Sequence, residues 1–229
     1  VLKDEFGFDF SSFKFFAGHS LGEYSALVCS ESLNFSDAIY LLHERGKAMQ
    51  ESVPIGEGSM IAILGMKTDE ILNLIQSQHN EIGICEIAND NADGQVIISG
   101  NKEIVEIFQK ILKEKKIKSI PLKVSAPFHC SLMKPAANIM RDKIKNTKFK
   151  EPKFKIINNV TANAEINPEN IKSLLVEQIF STVRWRESIL KMNNAGVQNF
   201  IEIGPGKVLT GMVKRTLKDV NSFSINSIA

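Results

Sequence analysis

Three side chains have types and settings that could do chemistry together. Ser20 lies in Gly18-x-Ser20-x-Gly22, with an apolar run from Phe13 to Ala17 before it and a helix-forming run from Leu21 to Val28 after it. That is the pattern of a nucleophile elbow, a serine on a sharp strand-to-helix turn whose hydroxyl projects from the end of a sheet. The flanking glycines let neighbouring chain approach, and the N–H groups at the helix start point to where an oxyanion would form. The competing reading is an ordinary strand-to-helix turn. His129 lies in Ser125-Ala126-Pro127-Phe128-His129-Cys130-Ser131, between a strand and a helix. Pro127 keeps Ala126 extended, and a histidine on such a loop is a general-base candidate; a packing or surface histidine is the commoner fate. His19 sits inside the elbow and should face away from Ser20, His43 is near the polar flank of a helix, and His79 is in a polar loop. His129 is therefore the best of the four partners for Ser20.

The third side chain is Arg45. Ser36 is a good N-cap with Asp37 in the first turn, and the helix should run to about Ser52. Ala38, Leu42, Arg45 and Met49 then share one face. A guanidinium in that apolar stripe needs an anionic partner. The partner could be an internal Asp or Glu, or a substrate carboxylate held by Arg's planar fork; the pattern leaves both open.

The elements around these residues read as α/β. Between about Pro54 and Val124 the order is strand (59–65), helix (68–78), strand (84–89), strand (95–99), helix (101–116) and strand (119–124), with a turn-rich Asp90-Asn91-Ala92-Asp93-Gly94. This β-α-β-β-α-β order is that of a ferredoxin-like unit. Helix 132–145 follows, then strand 154–158, helices 171–180 and 186–194, strand 199–203, Gly204-Pro205-Gly206 and helix 208–217. Strands alternating with helices argue for a mainly parallel sheet in the larger part. Lys207 after its Gly-Pro-Gly turn is no phosphate loop, because G-x-x-x-x-G-K-[ST] is absent.

Bulk properties exclude more than they assign. The 229 residues are 43% hydrophobic and 24% charged with a net charge of +2, an ordinary globular composition. No basic–aromatic interleaving points to nucleic acid, and no apolar run approaches the ~20 residues of a membrane span. Cys29, Cys85 and Cys130 form no C-x-x-C pair and read as reduced thiols of a cytoplasmic protein. The opening VLKDEF reads as the last turns of a helix capped by Gly7, so an upstream segment is expected.

Four motifs in order now carry a resemblance. Gly18-His19-Ser20-Leu21-Gly22-Glu23-Tyr24-Ser25-Ala26-Leu27, Arg45-Gly46-x-x-Met49-Gln50, Ala126-Pro127-Phe128-His129-Cys130-x-Leu132-Met133 and Glu202-x-Gly204-Pro205-Gly206-Lys207-Val208-Leu209 resemble the malonyl-CoA:acyl carrier protein transacylases of fatty acid synthesis. The resemblance implies an α/β-hydrolase-like core (1–53 and 125–229) with a ferredoxin-like subdomain (54–124) inserted. It implies Ser20 as nucleophile, His129 as its base and Arg45 as the holder of the malonyl carboxylate. Gln178 would orient His129 through its backbone carbonyl, the Leu21 N–H would supply half of an oxyanion hole, and Met49 and Phe128 would form a malonyl-selecting wall. The partners implied are malonyl-CoA and an acyl carrier protein, with no metal or organic cofactor, and a free-standing monomer is expected. The family's opening strand and Gly-Gln-Gly-rich loop, which carries a second oxyanion donor, have no match here, so a poorly active or inactive fragment is one alternative. A serine esterase or thioesterase is another. It needs an acid after the serine in order; Asp90 or Asp93 could serve by order, but both fall in the subdomain turn and neither suits an inward triad acid. Lys207, Lys214, Arg215 and Lys218 could form a docking patch for an acidic carrier protein, or simply a solvated helix face.

Overall fold

A computed structural model describes residues 5–77 and 83–227. The expectations for residues 1–4, the end of the helix at Gln78, and His79 lie outside the described residues. Strand β1 (Phe15–Ala17) runs into the turn at Ser20 and then helix α1 (Leu21–Cys29). Helix α2 (Phe35–Glu51) starts two residues earlier than its sequence suggests, with Asn34 at the N-cap and Ser36 inside the first turn. It buries Ala38, Leu41, Arg45, Ala48 and Met49, so the arginine does lie in the apolar stripe.

Next come strand β2 (Gly58–Leu64), helix α3 (Thr68–Ser77), strands β3 (Cys85–Ala92) and β4 (Gln95–Asn101), helix α4 (Lys102–Glu114) and strand β5 (Lys118–Pro121). The four strands form one antiparallel sheet in the order β3-β4-β2-β5. Residues 90–92, read as turn from their polar types, are strand instead, leaving Asp93-Gly94 as the hairpin loop. On one face Ile61, Ile63, Val96, Ile98, Phe108 and Leu112 close a core with the two helices. Along α4 Val105 is fully buried, whereas Ile107 is 45% exposed.

After a 3₁₀ turn (Ser131–Met133) come helix α5 (Lys134–Asn146), strands β6 (Lys155–Ile157) and β7 (Ala164–Glu165), and helices α6 (Pro168–Gln178) and α7 (Trp185–Asn194). Asn167 caps α6 by accepting from the N–H groups of Glu169 and Asn170, with Pro168 at the first position, where a missing N–H costs nothing. Strand β8 (Asn199–Ile203), helix α8 (Val208–Thr216) and strand β9 (Asn221–Ile225) end the chain. β1 pairs with β6 in parallel and β8 with β9 in parallel, but β6 and β7 are antiparallel. The pairing is therefore mixed rather than mainly parallel. A short polar connection from 158 to 163 turns the chain back on itself, where a parallel neighbour would need a crossover of a dozen residues or more.

A large core joins α1, α2, α5 and α6 through Tyr24, Leu27, Leu41, Met140 and Leu175. Among the described residues no helix is long and apolar enough to cross a membrane. β3 is buried along nearly its whole length because its outer edge and second face hold three other segments. Glu86 accepts from the N–H and hydroxyl of Ser131 at 2.8 and 2.7 Å. Asn91 bonds His19 at 2.8 Å, and the backbone of residues 88 and 90 pairs with Val183. The four-stranded sheet thus braces the turn before Ser20, the loop after His129 and the segment after Gln178.

Candidate active site

The turn at Ser20 is strained in the way the Gly-x-Ser-x-Gly spacing requires. Ser20 has φ 51° and ψ −108°, a conformation that costs about 1–3 kcal/mol for a residue with a Cβ. Two neighbours hold it. Gly18 packs so closely that a Cβ there would overlap the Gly22 carbonyl. Asn159, fully buried at the end of β6, accepts from the Ser20 N–H at 2.6 Å and donates to the Gly18 carbonyl at 2.8 Å. Because β1 and β6 are parallel neighbours, their C-terminal ends lie side by side, which brings Asn159 against the elbow. Sequence reading missed it; an asparagine just past a buried strand was the available signal.

His129 is also in the left-handed region, at φ 59°. Its loop is fixed by Pro127, which lies where a side chain on Gly58 would be, by the Cys130 thiol donating to the Pro127 carbonyl at 3.1 Å, and by Glu86. The imidazole Nδ1 lies 2.9 Å from the Gln178 carbonyl and Nε2 lies 2.8 Å from Ser20 Oγ. A carbonyl only accepts, so Nδ1 carries the proton and Nε2 is free to accept from the serine hydroxyl. Burial, then the nearby Arg45 charge, lower the His129 pKa to about 3, so the ring is neutral in the resting site and its Nε2 carries no proton.

Arg45 is 7% exposed. Its Nη2 donates to Ser20 Oγ and to Gln178 Oε1, each at 3.0 Å. Its Nε is buried with no partner, and no ion pair to a carboxylate occurs among the described residues. No direct salt bridge of the kind that competed as a reading of Arg45 forms among the described residues, although the buried Glu23 carboxylate, one amide away through Gln178, acts on its charge. Gln178 binds at three levels: its carbonyl to His129, its Oε1 to Arg45, and its Nε2 to Glu23 at 2.7 Å and the Ser20 carbonyl at 3.1 Å. Glu23 is itself buried, and burial raises its pKa to about 7 against the opposing pull of Gln178, Asn159 and Arg45. Neither Glu23 nor Asn159 had been singled out from sequence.

The remaining expected residues are less intimately joined. The Leu21 N–H has no hydrogen-bond partner among the described residues, as a group awaiting an oxyanion requires. Met49 is buried one turn beyond Arg45, and Phe128 is half-buried against the same core; neither makes a polar contact with Ser20. His19 is held by Asn91 and lies edge-on to Trp185 with centroids 5.6 Å apart. Asp90 is tied to Arg186 through both carboxylate oxygens at 2.7 to 3.1 Å. A cavity of about 600 Å³ opens beside His129, with Ile87, Phe180 and Thr182 in its wall. Ser20 and Arg45 are not in its lining, so the Arg45 end of the site lies outside it. Among the described residues no group of His, Cys, Asp and Glu is arranged to hold a metal.

Comparison with known proteins gives the class. Residues 13–229 match the acyl transferase domain family. A malonyl CoA-acyl carrier protein transacylase from Haemophilus influenzae is 45% identical over 214 residues, 93% of this chain and 68% of the relative. Among solved structures, an acyl carrier protein S-malonyltransferase from Vibrio cholerae superposes with a TM-score of 0.94 at 40% identity, covering 99% of this chain and 74% of that one. A type II PKS acyl-carrier protein in complex with its malonyl-transacylase gives 0.94 at 40% identity, covering 99% and 72%. The chain belongs to the malonyl CoA-acyl carrier protein transacylase family of acyl transferases.

Proposed function

We propose that this chain transfers a malonyl group from malonyl-CoA to the phosphopantetheine thiol of an acyl carrier protein through a malonyl-Ser20 intermediate. The observation that carries the reading is Arg45, buried, without a carboxylate partner, and 3.0 Å from Ser20 Oγ. A buried guanidinium beside the nucleophile, with its Nε unpartnered and no carboxylate bonded to it directly, suits an acyl group that brings its own carboxylate.

In the first half-reaction Ser20 Oγ attacks the thioester carbonyl as its proton passes to His129 Nε2. The tetrahedral oxyanion accepts from the Leu21 N–H. When the intermediate collapses, the carbon–sulfur bond breaks and the coenzyme A thiolate takes the proton from His129. The Gln178 carbonyl holds the ring in the tautomer this needs and stabilises the transient imidazolium. Arg45 exchanges its bond to Ser20 Oγ for the malonyl carboxylate. In the second half-reaction the carrier thiol gives its proton to His129 and attacks malonyl-Ser20; the Ser20 Oγ–carbon bond then breaks and Oγ takes the proton back from His129, so the kinetics are ping-pong. Acetyl leaves the buried guanidinium without its anion, which is the kind of omission a site rejects strongly. Met49 and Phe128 act as the wall behind the malonyl group. The cavity beside His129 is the approach for the pantetheine arm, and exposed Lys207, Lys214, Arg215 and Lys218 are the docking patch.

The same reading divides the chain into a hydrolase-like core (1–53 and 125–229) and a ferredoxin-like subdomain (54–124). The strand order β3-β4-β2-β5 supports the second, and the parallel β1–β6 pair leading into the elbow supports the first. One chain supplies every group named, which supports a monomer as the working unit. Asp90, committed to Arg186, is not available as the acid of an esterase triad. The test is malonyl transfer from malonyl-CoA to a holo carrier protein. Carrier-dependent release of coenzyme A with malonylated carrier as product is expected. Release to water at the same rate without carrier would make the chain a thioesterase.

A further inference from the structure

The amide of Gln178 has a definite polarity in the site, and that polarity decides what Arg45 meets. Its Oε1 accepts from Arg45 Nη2 at 3.0 Å. Its Nε2 faces three acceptors, the Glu23 carboxylate at 2.7 Å, the Ser20 carbonyl at 3.1 Å and Asn159 Oδ1 at 3.4 Å. Rotating the amide by half a turn would set an NH₂ group against the guanidinium, donor against donor. Glu23 is the nearest of the three acceptors and the only carboxylate, and in either protonation state it keeps an oxygen that can accept from the amide. The same carboxylate oxygen accepts from the Asn159 N–H at 3.1 Å, so Glu23 is fixed by the strand that also fixes the elbow.

We infer that Glu23 is a positioning residue for malonyl selection: by holding the Gln178 side-chain amide with its oxygen toward Arg45, it aims the guanidinium at the position of the malonyl carboxylate. Glu23 touches neither Ser20 Oγ nor His129. It acts through Gln178, while the bond that orients His129 comes from the Gln178 backbone and does not depend on the amide. Loss of Glu23 therefore affects recognition of the acyl carboxylate more than the nucleophile–base pair. The inference rests on the proposed role of Arg45 as carboxylate holder.

The readout is the ratio of kcat/KM for malonyl-CoA to that for acetyl-CoA in formation of acyl-enzyme, from which the fraction of folded enzyme cancels. Glu23→Leu should lower the ratio by about tenfold to a hundredfold, the worth of a hydrogen bond to a charged group. Glu23→Gln keeps an oxygen acceptor and should recover most of that loss. Gln178→Leu removes the amide but leaves the backbone carbonyl, and should lower the ratio as much as Glu23→Leu; combining the two should lower it no further. If Arg45→Ala lowers the ratio while Glu23→Leu leaves it at the parent value, this inference falls alone. A parent ratio in Arg45→Ala overturns this inference and the carboxylate-holder reading together. A ratio that rises in both Glu23 variants would make Glu23 a counter-charge to Arg45 and also overturn it. Should Glu23→Leu yield no folded protein, Gln178→Leu decides, and a parent ratio there is contrary.

Discussion

Replacing Asn159 by alanine should damage both the fold and the elbow. The side chain is fully buried and satisfies two backbone groups of the turn, the Ser20 N–H at 2.6 Å and the Gly18 carbonyl at 2.8 Å. Truncation leaves both groups buried without a partner, at about 1–3 kcal/mol each, so a loss of about 2–6 kcal/mol is expected. That is a large share of the roughly 5–15 kcal/mol that holds a domain together. The turn it releases carries the strain of Ser20 at φ 51°, so the hydroxyl would also drift from His129 Nε2. A misplacement of about 1 Å can cost about a hundredfold in rate. Urea unfolding gives the first quantity, and single-turnover formation of acyl-enzyme gives the second. A stability loss below about 1 kcal/mol together with acylation at the parent rate would refute the idea that Asn159 holds the elbow.

Arg45→Ala should lower kcat/KM for malonyl-CoA by about a hundredfold or more and that for acetyl-CoA by much less; equal losses would refute the carboxylate role. Gly18→Ala forces a Cβ into the Gly22 carbonyl and should cost about 1–3 kcal/mol as well as acylation rate, both read by the same two assays. Acid should expose His129. Its pKa is about 3 in the fold against an ordinary 6.5, so between those values the unfolded chain binds a proton that the folded one refuses, and stability falls as pH falls. Glu23, at about 7 against 4.5, works in the opposite direction from 7 down to 4.5, so the two offset each other until the acid end. His129→Gln removes the first effect, and its urea midpoint should gain on the parent's between about pH 7 and about pH 4; a constant difference would contradict the assignment. Changing Lys207, Lys214, Arg215 and Lys218 to Glu should slow transfer to carrier protein more than acylation of Ser20, most at low ionic strength. Equal effects on both half-reactions would rule the patch out.

The parts of the site visible in sequence were those with a local signature. Ser20 announced itself by Gly-x-Ser-x-Gly between strand and helix, and Arg45 by a charge at an apolar helical position. His129 emerged by comparison with three less suitable histidines. Gln178 had no signature of its own, because the group it gives to His129 is a backbone carbonyl that every residue possesses; only the resemblance named it. Asn159 depends on the parallel pairing of β1 with β6 across 140 residues or so, which no local pattern reports. Glu23 was legible in principle, since it shares a buried helix face with Leu27 four residues on, the same argument that exposed Arg45. In the fold, the order of strands and helices followed from hydrophobic period and turns, whereas Asp90–Ala92, β7 and β9 did not. Their polar residues suit loops, and only pairing with neighbouring strands makes them strands.

Whether Ser20 carries the malonyl group is read directly by intact-protein mass after brief mixing with malonyl-CoA. An adduct of malonyl mass is expected that maps to the Ser20 peptide, is absent in Ser20→Ala and disappears when holo carrier protein is added. An adduct that persists in Ser20→Ala, or one that carrier protein does not discharge, would contradict that role of Ser20.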